Sequence, residues 1–240
     1  MDYARTIKEA TPLLLEGLKM TVAISVLSLF LGLIIGLIVC LMNMSKGKIH
    51  IFKRNFSILR FIGNFYIWII RGTPMMVQAF IVYFGIPQVI QIFVPGFRMS
   101  AFAAGVITLS CNAGAYLSEI FRGGIQAVNK GQLEAARSLG LSQSRAMIKV
   151  ILPQAFKIAI PSMVNQFIIT IKDTSILSAI GLAEIVNKAK VYVGSSYQFF
   201  ATYTLVAIYY LVIISVLMII SKHLEKRMSY ERKSSDKKSA

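Results

Sequence analysis

The sequence predicts an all-α polytopic membrane protein with five transmembrane helices, its N-terminus outside and its C-terminus in the cytoplasm. Two observations carry that prediction. Met20–Ser45, Gly72–Phe97 and Val191–Ser221 are stretches of 26, 26 and 31 residues without one charged side chain. Each exceeds the ~20 apolar residues needed to cross a bilayer. The positive charges, 26 Lys and Arg against 10 Asp and Glu, are then sorted between the spans. Residues 43–60 hold five (Lys46, Lys48, Lys53, Arg54, Arg60), residues 122–160 hold six, and the tail 222–240 holds seven. The opposite side has Arg98 alone, then Lys188 and Lys190. Basic segments stay in the cytoplasm, so the net charge of +16 reflects topology and does not point to nucleic acid.

Composition removes whole classes. The 240 residues are 56% hydrophobic and 15% charged, against roughly 45–50% and 25% in a soluble domain. A soluble enzyme, a secreted disulfide scaffold and a disordered chain are excluded. Cys40 and Cys111 fall within apolar spans and read as small buried hydrophobes.

Taken in order, residues 1–19 mix charged and apolar residues and suit a short surface helix. Span one covers about Leu18–Met44, too long for a cleaved signal peptide, and its Gly32 and Gly36 match a small-xxx-small packing pattern. A basic loop, 45–57, leads to span two, Leu59 to Ile86. Span three is Met99–Phe121. The segment 122–160 is too long for an unstructured loop. Within it, Gln132–Leu139 reads as a short amphipathic helix stopped by Gly140, and Ser142 caps a second helix, Gln143–Phe156, bent by Pro153. Span four runs from Pro161 to Gly181, residues 182–200 are external, and span five is Phe200–Ser221. The domain division is one permease-like unit, 1–222, and a basic cytoplasmic tail, 223–240.

The chain lacks a G-x-x-x-x-G-K-[ST] phosphate loop, so it does not hydrolyse ATP by that route. It offers no metal-ligand cluster and no nucleophile–base pair for an intramembrane enzyme. Its energy source and any external receptor are expected on other chains.

The cytoplasmic segment reads Glu134-Ala135-Ala136-x3-Gly140-x9-Val150-x-Leu152-Pro153. It resembles the EAA motif of membrane-spanning subunits of bacterial ABC importers, with Val150 in place of the usual Ile. Arg71-Gly72-Thr73-Pro74, Tyr83-Phe84-Gly85, Glu119-Ile120-Phe121-Arg122-Gly123-Gly124-Ile125 and Lys172-Asp173-Thr174-Ser175 resemble the polar amino acid branch of that family. The resemblance covers about residues 12–222. It implies a type I importer fold and a cytoplasmic (inner) membrane location. It also implies a second permease subunit, two cytoplasmic ABC ATPases that bind the ATP and Mg, and an external solute-binding protein. The chain itself would be no enzyme and carry no cofactor. An importer for another small solute and a passive channel are the alternatives. A channel has no use for a coupling segment.

Coupling to the ATPase is expected from Gln132, Leu133, Glu134, Ala135, Ala136, Arg137, Leu139 and Gly140. Leu133, Ala136 and Leu139 recur at a spacing of three, and Glu134 and Arg137 can bond a partner or each other. A second constellation is intramembrane charge. Arg71 lies near the middle of span two, and Lys172 and Asp173 lie near the middle of span four, about 18 Å from Pro161 at 1.5 Å per residue. Such groups cost at least ~2.5 kcal/mol in lipid and face partners or a water-filled path. Pro74 removes a backbone donor and frees carbonyls beside Arg71. Adjacent helical residues diverge by about 100°, so one of Lys172 and Asp173 is expected to face the path. The other should pair with a neighbouring helix, Arg71 and Glu119 being the candidates. Further pathway candidates are Thr73, Ser110, Asn112, Tyr116, Glu119, Asn165, Gln166, Thr174 and Ser175.

Overall fold

The computed structural model describes residues 3–45, 49–51 and 54–238, with side chains for 3–45 and 57–226. Asp2, Lys46, Lys48 and Lys53 lie outside the described residues, as do the side chains of Arg54 and of the tail beyond Lys226.

The N-terminal segment and span one form one helix, α1 (Tyr3–Met44), not a surface helix followed by a span. At 1.5 Å per residue it is about 63 Å long, twice the hydrocarbon core. Pro12 lies within it on the exposed side and does not interrupt it, while Ala10, Leu14 and Gly17 are buried. Strands β1 (Ile49–Ile51) and β2 (Arg54–Phe56) pair antiparallel within the basic loop; the rest of the architecture is helical.

Span two is not a straight helix. It divides into α2 (Ile58–Gly72) and a second limb, Met75–Ile90, bent 104° from it. That limb is α3 (Met75–Phe80), a π-helical turn (Ile81–Gly85) and α4 (Ile86–Ile90). Pro74, with no N–H and a fixed φ, sits at the corner. Span three is α5 (Ala101–Gln126), with the Ser100 hydroxyl accepting from the Ala103 N–H. The EAA-type segment supplies α6 (Lys130–Ser138) and α7 (Gln143–Ala146).

The second cytoplasmic helix and span four are continuous, which corrects the division at Pro161. From Gln143 the chain stays helical to Ile180, through a π turn (Met147–Ile151), α8 (Leu152–Asp173) and a 3₁₀ turn (Thr174–Ile180). A proline ring clashes with the carbonyl four residues back. For Pro153 that carbonyl belongs to Lys149, inside the wider π turn. Pro87 repeats the device, with Tyr83 inside the Ile81–Gly85 turn. Gly181, at φ +79°, ends span four. Residues after it form α9 (Ile185–Ser196), and α10 (Phe199–Lys238) carries span five into the tail without interruption.

Among the described residues, four helices are long and apolar enough to cross a membrane, or five with the bent pair counted as one. Their packing centres on α1 against α5. Gly32 and Gly36 face Ala113, Gly114 and Leu117 so closely that a Cβ at Gly36 would sit 2.8 Å from that of Leu117. Ile24, Ala79, Leu109 and Leu177 form one core, which pins α3 inside the bundle. Leu14, Ile185, Ala189 and Val206 form another, joining α1, α9 and α10.

Candidate functional site

The bend in span two builds the site. Pro74 has no N–H to give the Ile70 carbonyl four residues back. The Gln78 side chain replaces it: Nε2 donates to the Ile70 carbonyl at 2.7 Å, to the Thr73 carbonyl at 3.0 Å and to Thr73 Oγ1 at 2.9 Å. Thr73 Oγ1 donates in turn to the Ile69 carbonyl at 2.8 Å. The opened turn is thus satisfied by one buried amide. Gln78 was not among the sequence candidates; its signal was a lone amide four residues after a proline in an apolar run.

Arg71, just before the bend, is ion-paired with Glu119 of α5. Its guanidinium also lies 5.0 Å from the centre of the Tyr116 ring, a cation–π contact. Tyr66 ties α2 to α5 a turn away, its hydroxyl donating to the Cys111 carbonyl at 2.5 Å.

Beside this pair, a cavity of ≈ 350 Å³ lies between α2, α5 and α8, and Thr73, Asn112, Tyr116, Gln166 and Asp173 line it. A second, of ≈ 640 Å³, continues past Tyr116 and Glu119 to Asn165 and Gln166. Three side chains, Tyr116, Gln166 and Ile169, are common to both. The cavities therefore form a track along α5 and α8 in which polar groups are set among apolar walls, with a carboxylate (Asp173) at one end and a cation–carboxylate pair (Arg71–Glu119) at its side.

Eight sequence candidates meet here: Arg71, Thr73, Asn112, Tyr116, Glu119, Asn165, Gln166 and Asp173. Arg71 reaches the track only through its pair with Glu119, and the other four candidates lie away from it. Ser110 is 3% exposed and its backbone packs on Gly32 of α1. Thr174 is fully buried and donates to the Ile171 carbonyl, while Ser175 donates to the Lys172 carbonyl. Lys172 is exposed and makes no ion pair among the described residues. The pairing expected for it with a neighbouring helix is absent there, because Arg71 and Glu119 satisfy each other.

The segment expected to couple to the ATPase is a compact projection. Asn129 Oδ1 accepts from the Gly131 N–H at 2.8 Å and starts α6. At its end the Gly140 N–H reaches the Arg137 carbonyl at 3.0 Å and the Leu141 N–H reaches the Ala136 carbonyl at 3.2 Å. These two bonds make a Schellman turn, and Gly140 takes the required left-handed φ of +84°. Leu133 packs against the chain's own Val128, Ile151 and Ala155, and Ala136 is buried. Only Leu139 of the spacing-three residues stays outward, 85% exposed. Gln132, Glu134, Ala135 and Arg137 are exposed as well. Arg137 does not bond Glu134; its Nη1 donates to Gln143 Oε1 across the turn at 3.3 Å.

Residues 49–230 match the family model described as binding-protein-dependent transport system inner membrane component. The chain belongs to that family: it is an inner membrane component of a binding-protein-dependent transport system. It is 39% identical over 199 residues to the arginine transport system permease protein ArtQ of Bacillus subtilis (strain 168), covering 83% of this chain and 84% of that one. It is also 39% identical over 191 residues to the glutamine transport system permease protein GlnP of Escherichia coli (strain K12), covering 79% and 80%. Its fold matches the crystal structure of an amino acid ABC transporter with histidines at a TM-score of 0.84 and 36% identity, over 95% of this chain and 99% of that chain.

Proposed function

We propose that the chain is the membrane-spanning permease of an ABC importer for a polar amino acid. The track beside the bend carries this reading. A zwitterion needs acceptors for its ammonium and donors for its carboxylate. Asp173 offers the first, and the amides of Asn112 and Gln166 with the Tyr116 hydroxyl offer the second. Burying such a solute without partners would cost several kcal/mol, so a fixed set of complementary groups is what passage requires.

In this reading the bent pair is one of five spans, with the N-terminus outside and the basic ends in the cytoplasm. Two ATPase subunits hold the ATP and Mg, and a second permease subunit, the same chain or a sister, completes the path. An external solute-binding protein delivers the amino acid. ATPase closure moves the exposed face of α6, centred on Glu134, Ala135 and Leu139. The continuous helix from Gln143 to Ile180 passes that movement to Asp173 without a joint. The permease names and structure above support amino acids as the solute class.

The test is co-purification of the complex with its solute-binding protein, identification of the bound ligand, and uptake into proteoliposomes. ATP-dependent uptake of a polar amino acid is the expected result. Uptake that persists without ATP or without the binding protein would point to the channel reading.

A further inference from the structure

A third cavity lies away from the track, where α1, α2 and α5 end. It measures ≈ 400 Å³ and brings Asn43 of α1 together with Arg60 and Asn64 of α2 and Arg122 and Gln126 of α5. Two guanidinium groups from different helices face a space walled by three amides. Neither arginine has a carboxylate partner among the described residues. Arg122 Nη1 donates only to Gln126 Oε1, at 3.0 Å. Glu119, the one carboxylate at the inner end, is already held by Arg71. The pocket therefore has an unspent positive charge.

The pocket's wall is close-packed: Asn43 Oδ1 of α1 is buried against Gly63 of α2, where a Cβ would overlap it. The pocket is at headgroup depth, since Met44 ends α1, Gln126 ends α5, and Arg60 is in the first turn of α2. One residue round from Arg60, Asn64 and Ile67, the exposed rings of Phe61, Phe65 and Trp68 stack along α2 with centroids 6.1 and 5.8 Å apart. Aromatic rings at this depth mark the apolar–polar boundary of the bilayer, and basic pockets between spans on the cytoplasmic side suit lipid phosphate. Arginine forks match two phosphate oxygens at once.

We propose that this pocket binds the phosphodiester headgroup of an anionic phospholipid, with the acyl chains lying along the Phe61–Phe65–Trp68 ladder. The cytoplasmic leaflet follows from the orientation proposed above, whereas lipid binding by the purified chain is read independently of it. Glu119 is a wall both of this pocket and of the track, so headgroup occupancy abuts the Arg71–Glu119 pair.

The test uses the full chain in neutral detergent, with phosphatidylglycerol, phosphatidylcholine and inorganic phosphate as probes. Retention is read by native mass spectrometry and protection by thermal unfolding. The wild type should retain phosphatidylglycerol and be stabilised by it, with no comparable effect of phosphatidylcholine. Arg60→Gln with Arg122→Gln should weaken retention roughly tenfold or more. Ile67→Trp, which fills the pocket without changing charge, should do the same and separates pocket occupancy from any folding defect of the arginine variant. Equal retention by both variants would overturn the site. Equal stabilisation by phosphatidylcholine would overturn headgroup recognition, and equal protection by millimolar inorganic phosphate would overturn a lipid as the source.

Discussion

Arg71 pairs with Glu119, not with Asp173, and the Tyr116 ring closes the same guanidinium from the side. This leaves Asp173 unneutralised by Arg71 at one end of the track. The two paired side chains are 40% and 35% exposed, so screening limits their coupling to about 1 kcal/mol or less. Arg71→Met and Glu119→Gln should each impair uptake. In a double-mutant cycle on thermal stability, the double variant should lose less than the sum of the singles. Strict additivity would show that the pair does not act together.

Gln78→Leu should destabilise the protein by about 1–3 kcal/mol, because it leaves the Ile70 and Thr73 carbonyls without their donor. Pro74→Ala restores a backbone N–H to Ile70, so the double variant should recover stability. It should also lower uptake, since closing that turn moves Thr73 off the cavity it lines. If the double variant is no more stable than Gln78→Leu, the amide is not the clamp.

The sequence displayed the apolar spans, the charge sorting and most of the track, because long apolar runs and intramembrane polar residues are costly and therefore conspicuous. The EAA-type segment was equally visible. The bend was only half visible: Pro74 signals a loosened turn, but the 104° angle depends on α3 being pulled into the core formed by Ile24, Leu109 and Leu177. The continuity from Gln143 to Ile180 was hidden, since Pro153 and Pro161 ordinarily mark boundaries and the π turn that absorbs Pro153 has no sequence signature. The inward face of α6 was hidden as well. Leu133 and Ala136 look equally suited to a partner until the fold packs Leu133 on Val128 and Ile151 and buries Ala136.

Replacing Glu134 with Arg, or Gly140 with Val, should abolish transport while leaving the chain assembled in the membrane. Gly140→Val is strained by its φ of +84° whatever the space around it. Stimulation of the ATPase by the solute-binding protein, measured in liposomes beside uptake, is the readout. Normal stimulation and uptake in both variants would remove the coupling role from α6.

Glu184 predicts a pH dependence. It is fully buried and caps α9, accepting from the N–H groups of Val186 at 2.9 Å and Asn187 at 2.7 Å. Burial pushes its carboxyl up from the ordinary 4.5 to about 7, against the pull of those two N–H groups and of Lys190. A raised carboxyl means the folded state keeps a proton that the unfolded chain releases. Its contribution to stability is therefore greatest below pH 4.5 and declines as pH rises to about 7. Glu184→Gln should lack that decline when thermal midpoints are compared across the window. A parallel pH profile in the two proteins would exclude Glu184 as its source.

The central claim is that the track between α2, α5 and α8 carries a polar amino acid past Asp173. Uptake by the reconstituted complex, comparing wild type with Asp173→Asn, tests it most directly, with Lys172→Met as a neighbouring control. Asp173→Asn should assemble normally and lose roughly tenfold or more of the ATP-driven uptake, the scale of one charge-assisted contact. Lys172→Met should bind the ATPases and retain more of the rate. Wild-type uptake by Asp173→Asn would contradict the account.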